Sequence, residues 1–214
     1  MDKVSKTVLN IKYDFNDHQL EKPERVYDGF FKIDRYSIDH KTFAGQRTGR
    51  FSRELFERGE ASAVLLYDPL KDAVVLTEQY RIGAALKDSG SSPWLLEVVA
   101  GMIEPGESAE DVARREAEEE VGCSPKALIP ISSYWSSPGG TSEKVHLYCS
   151  LIDSSSLGGI HGLEEEQEDI LVRIIPFSLA FAAIESGEIN NAATIIALQW
   201  LKLKHDELRQ QRPY

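Results

Sequence analysis

The stretch from Gly101 to Cys123, GMIEPGESAEDVARREAEEEVGC, constrains this chain more than any other. A glycine-bounded loop runs into a segment dense in Ala, Glu and Arg, all strong helix formers. Ser108 stands where a helix cap belongs, with Asp111 three residues on as the acidic half of a capping box. Gly122 stands where such a helix would end. A helix turns by about 100° per residue. With Glu116 as origin, Glu120 lies about 40° to one side and Glu119 about 60° to the other, on the arc that also carries Ala109, Val112 and Ala113. Arg114 and Glu118 fall roughly opposite. An acidic helix is ordinarily a solvated face. Here three carboxylates share the apolar face, where they repel one another and lose hydration. A hard cation with oxygen ligands, Mg²⁺ or Mn²⁺, would remove that cost.

The rest of the composition narrows the setting. At 214 residues the chain can form one large domain, or one domain with an N-terminal extension. A net charge of −11 argues against a nonspecific grip on nucleic acid or anionic membrane, so neither is expected as a partner. An anionic substrate would need local relief from metal ions or a few placed arginines. The two cysteines, Cys123 and Cys149, sit in no CxxC or His/Cys cluster and are expected as reduced core thiols. The opening MDKVSKTVLN has no apolar signal region, and no run approaches the roughly 18 apolar residues of a membrane span. A cytoplasmic protein is the expectation.

Residues 1–58 read as a separate β section. Leu9, Ile11, Tyr13 and Phe15 alternate with Asn10, Lys12 and Asp14, which predicts a half-buried strand. Tyr27 to Ile38 continues in that style, with turns expected at Asp39-His40-Lys41 and Ala44-Gly45-Gln46. Arg53 to Arg58 is compatible with strand or helix. The section is short and polar for a core of its own, so it should pack on the rest of the chain or on a second subunit. From residue 59 onward strands and helices alternate. Strands are expected at Ala63–Tyr67, Ala73–Tyr80, Trp94–Ala100, Ala127–Ser133, Val145–Ile152 and Ile170–Ile175. Ala84 to Pro93 reads as a loose segment, and Ser154 to Asp169 as a long polar loop. Two helices close the chain, Leu179–Glu185 and one from a cap at Asn190 to about Leu208, with Ile195, Leu198, Leu201 and Leu208 as its apolar stripe. This is a mixed α/β layout.

Gly101, Glu107, Arg115, Glu116, Ala117, Glu119, Glu120, Gly122 and Cys123 fill every fixed position of the pattern G-x5-E-x7-R-E-U-x-E-E-x-G-U, where U is apolar. The stretch therefore resembles the Nudix box. The resemblance implies the Nudix fold, a mixed β-sheet between helices, over residues 59–214. It also implies Mg²⁺-dependent hydrolysis of nucleoside diphosphates linked to another group. Mn²⁺ is an admissible substitute, at roughly two or three ions per site. Glu116 and Glu120 are i and i+4 and can clamp one cation from adjacent turns. The resemblance makes them the core metal ligands, with Glu119 binding directly or through water. It adds the backbone carbonyl at Ala100, which otherwise reads simply as the residue before a tight turn at Gly101. Arg115 pairs with Glu107 in the family and holds loop to helix.

In the ADP-ribose-cleaving members a mobile acidic loop carries the general base. Matched from His161-Gly162-Leu163 and Asp169-Ile170, that position falls on Glu166, and an added metal ligand falls on Glu168. With Glu164 and Glu165 alongside, the register within the loop stays open. Pro138, fifteen residues past Cys123, with the Gly-rich turn and Glu143 after it, is similar to those members. So are Trp94-Leu95-Leu96-Glu97 and Asn190-Asn191-Ala192. Carried over residue by residue, Phe30 stacks on adenine, and Arg53, Glu54 and Arg81 contact base and phosphates. Met102 borders the nucleotide, and Glu143 takes the terminal ribose. These members form homodimers whose N-terminal section completes the partner's site, so a composite homodimer is expected. ADP-ribose is the leading substrate. The alternatives are another sugar nucleotide such as GDP-mannose, or a non-catalytic ADP-ribose sensor. A sensor would be expected to lack box glutamates and to carry a basic domain, and this chain does neither.

Overall fold

The computed structural model describes residue 9, residues 11–86 and residues 92–213, and it divides into two units. The first runs up to Arg58 and includes Ser137–Ser142; the second is Gly59–Ser136 with Glu143–Tyr214.

In the first unit, strands β1 (His18–Leu20), β2 (Glu24–Asp28), β3 (Lys32–His40) and β4 (Phe51–Glu57) form one antiparallel sheet. β4 lies along one edge of β3, and β2 and β1 share the other, end to end. The ambiguous segment at Arg53 is thus strand. The strand expected at Leu9–Phe15 does not form among its described residues. Asp14 accepts the Asn16 N–H at 2.8 Å, and the Asp17 carboxylate accepts the Asp14 N–H at 2.9 Å. That reciprocal cap bends Phe15–Asp17 into a 3₁₀ turn, and Leu9, Ile11 and Phe15 are exposed. Local side-chain to backbone bonds have outcompeted the alternation. Two further corrections follow from pairing. The run from Tyr27 to Ile38 is broken by a turn at residues 29–31, where the Gly29 N–H bonds the Phe31 carbonyl at 3.0 Å. The turn expected at Asp39-His40-Lys41 starts later, because β3 continues to His40 in register with His18. Ser137–Ser142 belongs here because the Phe56 N–H bonds the Gly140 carbonyl at 2.9 Å and the Arg58 N–H bonds Ser142 Oγ at 3.0 Å.

The second unit is built on two apolar strands, β5 (Glu60–Asp68) and β6 (Ala73–Tyr80), joined by a tight turn. They pair only from Leu66–Asp68 to Ala73–Val75 and then part. After the short helix α1 (Ile82–Ala85), the chain returns into that fork as β7 (Trp94–Glu97), which pairs with β6, and β8 (Val99–Met102), which pairs with β5. The single strand expected over Trp94–Ala100 is therefore two, because it changes partner at Val98. Helix α2 (Ala109–Val121) follows, then β9 (Ile129–Trp135), starting later than expected because its ladder to β10 (Lys144–Leu151) begins at Ile129. β10 also pairs with β5 in parallel, so the sheet is mixed. The expected loop before Asp169 contains β11 (Gly159–His161) and a 3₁₀ turn at Glu164–Glu166. β12 (Ile170–Pro176) joins β11 to β6. Helices α3 (Phe177–Ser186) and α4 (Ala192–Leu208) end the chain, and the cap of α4 is Asn191 rather than Asn190.

Strand alternation sorts the core into two layers. Val64, Leu66, Val75 and Val99 pack with Ala113, Ala117 and Val121 of α2. Ala63, Leu65, Tyr67, Val74 and Leu76 pack with Phe177 and Ala180 of α3 and with Leu198, Leu201 and Leu208 of α4. The sheet thus lies between helices, as expected. Among the described residues no helix is long and apolar enough to cross a membrane.

Asp68 closes the β5–β6 turn. Fully buried, it accepts N–H bonds from Leu70 (2.9 Å), Lys71 (3.1 Å) and Ser154 (3.0 Å), and the Ser154 hydroxyl at 2.7 Å. Burial raises its pKa, but the Ser154 hydroxyl and these N–H donors outweigh burial and hold it below the usual carboxylate value. A depressed folded pKa contributes stability above the ordinary carboxylate range, and that stability is lost as pH falls through the folded value. Asp68→Ala should cost about 2–4 kcal/mol at neutral pH. In urea titrations at several pH values, the deficit should shrink on acidification below about pH 4. A constant deficit across that range would mean the carboxylate charge is not what holds the turn.

Candidate functional site

Helix α2 starts and stops on its caps. Ser108 Oγ accepts the Asp111 N–H at 3.2 Å, and the Asp111 carboxylate accepts the Ser108 hydroxyl at 2.6 Å, so the return arm of the box runs side chain to side chain. Gly122 adopts φ 71°, which lets its N–H and that of Cys123 bond the Glu118 and Ala117 carbonyls at 2.9 and 3.0 Å. Ser62 of β5 donates to the Ala109 carbonyl at 2.6 Å and ties the first turn of α2 to the sheet.

This anchoring lays the helix carboxylates against the end of β8. A Cβ placed on Gly101 would stand 1.7 Å from Glu116 Oε1, so only glycine leaves room for that carboxylate. Glu120 is 2% exposed, and among the described residues its Oε2 has no hydrogen-bond partner. Glu119 sits at the rim. Arg115 joins the group to the preceding loop. Its Nε donates to Glu107 at 3.1 Å, and its Nη1 to Glu116 at 2.8 Å and Glu119 at 3.0 Å. Glu107 also accepts the Glu104 N–H at 3.0 Å.

The electrostatics follow from burial and charge. Burial, then the Glu116 and Glu168 charges, push the Glu120 carboxyl up to about 8; Arg81 and the Ala100 backbone oppose them. Burial also raises Glu116, with Arg115 pulling the other way. The Glu104 N–H and Arg115 hold Glu107 below the usual range. Burial works against the Arg115 charge, yet Glu107 and Glu116 keep its pKa above that of a free arginine. A buried oxygen without a partner, a carboxylate seated on a strand end and a third beside it form a donor set that suits a hard divalent cation. No three acidic, His or Cys side chains among the described residues already converge as ligands, because Arg115 draws Glu116 and Glu119 to itself.

The expected residues do not all fall together. Glu116, Glu119, Glu120, Arg115 and Ala100 come together at the meeting of α2 and β8. Glu168 and Arg81 stand near enough for their charges to act on Glu120. Glu168 is held by the Leu163 N–H at 3.3 Å, and a Cβ on Gly162 would come within 2.7 Å of its own Cβ. Arg81 is paired with Glu97 at 2.7 Å. Met102 is half-exposed at the end of β8, and the Glu143 carbonyl takes the Ser136 N–H at 3.2 Å. The side chain of Glu166 lies outside the described part. Phe30, Arg53 and Glu54 belong to the N-terminal unit. There Phe30 is 84% exposed, Arg53 lies over the Phe51 ring, and Glu54 pairs with Arg35 at 3.0 Å. Sequence reasoning gave no role to Glu97. Its signal is an acidic residue that ends a strand just before the glycine loop, facing an arginine that ends the neighbouring strand.

The family model described as NUDIX domain matches residues 57–201. The ADP-ribose pyrophosphatase of Escherichia coli (strain K12) is 47% identical over 95% of this chain and 96% of its own length. That of Haemophilus influenzae is 47% identical over 91% and 90%. A GDP-mannose pyrophosphatase of Escherichia coli O1:K1 / APEC is 32% identical over 87% and 95%. A crystal structure of an ADP compounds hydrolase superposes with a TM-score of 0.62, at 21% identity, over 90% of this chain and 98% of that one.

An acid whose folded pKa is raised binds its proton more tightly folded than unfolded, so its ionisation destabilises the fold as pH rises between the two values. Glu120→Gln should therefore raise the stability of the metal-free protein by a few kcal/mol above pH 8, since a rise from 4.5 to about 8 is worth roughly 5 kcal/mol. The gain should fade towards pH 4.5. Thermal unfolding in chelator across that range checks it, and a variant less stable than the parent at pH 8 would count against the buried charge.

Proposed function

Because the chain belongs to the Nudix family, we propose that it hydrolyses the pyrophosphate of ADP-ribose to AMP and ribose 5-phosphate. The observation that carries this reading is the Glu120 carboxylate, buried, lacking a partner for one oxygen and packed beside Glu116 at the glycine end of β8. Such a group is costly in a fold and useful in a metal site. The substrate follows from the relatives: those at 47% identity are named for ADP-ribose, and the GDP-mannose enzyme is more distant at 32%.

Glu116, Glu120, Glu119 and the Ala100 carbonyl would hold Mg²⁺, or Mn²⁺, at about two or three ions per site. Bound there, the cation neutralises pyrophosphate oxygens and lowers the pKa of a nearby water. Arg115 keeps loop and helix in register and balances the ligand charges. Arg81, fixed by Glu97 through its Nε, turns the rest of its guanidinium to oxyanions of the substrate. Glu166 takes the proton of the attacking water, with Glu168 next to the box glutamates as an added ligand. Water adds to one phosphorus, the bridging P–O bond breaks, and the leaving phosphate departs as an anion. Met102 borders the nucleotide and Glu143 the terminal ribose. Phe30, Arg53 and Glu54 reach the substrate from the N-terminal unit of a second copy, which makes the working form a homodimer. The free cysteines, Cys149 buried among them, suit a reducing cytoplasmic compartment.

Purified protein with Mg²⁺ and a panel of ADP-ribose, GDP-mannose, NADH and diadenosine polyphosphates should release AMP fastest from ADP-ribose. Preference for GDP-mannose would remove the adenine contacts. Binding without cleavage would make the chain a sensor. In the same assay Glu166→Gln should cut turnover on the order of a hundred-fold or more while leaving Mg²⁺ binding intact. If Glu168→Gln does the greater damage to turnover with Mg²⁺ binding intact, the register within the loop is not the one that puts the base at Glu166. For the homodimer, mixing unfolded and co-refolded Phe30→Ala and Glu120→Gln chains should restore activity above either parent. No gain on mixing would place both residues in one chain's site.

A further inference from the structure

β7 and β8 are one run of chain with two hydrogen-bonding partners. Glu97 is in register with Thr77 of β6, and Val99 with Val64 of β5. Val98, between them, belongs to neither ladder and is 2% exposed. A buried backbone group at such a switch must find a partner outside the sheet. It finds one at the start of α4. The Val98 N–H donates to Thr194 Oγ1 at 2.9 Å, and the Leu96 carbonyl accepts from Asn191 Nδ2 at 2.7 Å. Thr194 itself is fully buried. Asn191 does two separable things. Its Oδ1 caps α4 by accepting the Thr194 N–H at 3.1 Å, and its amide nitrogen holds the strand. Capping needs only the oxygen.

We infer that Asn191 and Thr194 are positioning residues of the metal-binding segment. They lock the partner switch at Val98 and so place the Ala100–Gly101 backbone on which Glu116 and Glu120 close. The inference rests on the metal reading given above. One residue, Val99, separates Val98 from Ala100, whose backbone acts on Glu120, and Gly101 follows with Glu116 seated against it. A strand end held only by its ladders could slide or twist between β6 and β5. Two bonds from a buried helix start remove that freedom, in the way outer partners orient the ligands of metal sites generally. The clamp also fixes Glu97, whose carboxylate orients Arg81. One short helix terminus thus sets a carbonyl ligand and a phosphate-facing arginine together.

The test is Mn²⁺ titration of the metal-stripped full chain, followed by electron paramagnetic resonance, with melting temperatures recorded for each variant. Asn191→Asp keeps the cap oxygen and loses the bond to Leu96; Thr194→Val keeps the shape and loses the bond to Val98. Each should weaken Mn²⁺ on the order of ten-fold or more. Thr194→Ser should restore wild-type binding. Leu208→Ala, at the far end of α4 and in its core stripe, should lower the melting temperature and leave Mn²⁺ affinity unchanged. Wild-type affinity in both clamp variants overturns the inference, as does an equal loss in Leu208→Ala. A wild-type chain that binds no Mn²⁺ overturns the metal reading itself, and the inference with it.

Discussion

β5 and β6 hold together over only three residue pairs before they diverge, and the second unit is arranged around that fork. A sheet cannot leave its polar edges open inside a core. The chain therefore comes back as β7 and β8 to fill the gap, one strand against each arm. Filling it has a consequence for position. β8 ends at Met102 beside the first residues of β5, and the loop that follows must climb directly into α2. Gly101, the Ala100 carbonyl before it and the Glu116 carboxylate of α2 therefore meet where the fork is closed.

Within that frame the site trades stability for chemistry. The chain carries a net charge of −11, yet it buries Glu120 and half-buries Glu116 a turn apart. Burial first, and then the charges of Glu116 and Glu168, push the Glu120 carboxyl up to about 8. Arg115 moderates this by binding three carboxylates at once, Glu107, Glu116 and Glu119. It does not reach the Glu120 oxygen that lacks a partner. The core beneath takes up the cost: Ala113, Ala117 and Val121 seat α2 on Val64, Leu66 and Val75 with almost no exposed surface.

The opposite face works differently. α3 and α4 bury a longer apolar stripe, and their polar contacts with the sheet are few and placed at its breaks. Asn191 and Thr194 serve the switch at Val98; His205 bonds Asp72 at the turn between β5 and β6 at 2.7 Å. The two ends of α4 thus each meet a point where the ladder is interrupted. Among the described residues the first unit has no comparable core, and several of its large apolar side chains, Phe15, Phe30 and Phe43 among them, are exposed.

The sequence by itself determined what can be written as local pattern. The helix at Ala109–Val121 follows from its caps and its helix formers, and the inward turn of Glu116, Glu119 and Glu120 follows from a period of about 3.6 residues. The long apolar strands at β5 and β6 follow from their continuous Val and Leu runs. Tertiary structure decided whatever depends on which segments pair. The alternation at Leu9–Phe15 looked like a strand, but a reciprocal cap between Asp14 and Asp17 needed no partner strand and prevailed. The run from Trp94 to Ala100 looked continuous, because nothing in its residues says that β6 and β5 part where it must change ladders. The roles of Asn191, Thr194 and Glu97 were hidden for the same reason. Their partners lie 95, 96 and 16 residues away, and such distances are closed by packing, which no local period encodes.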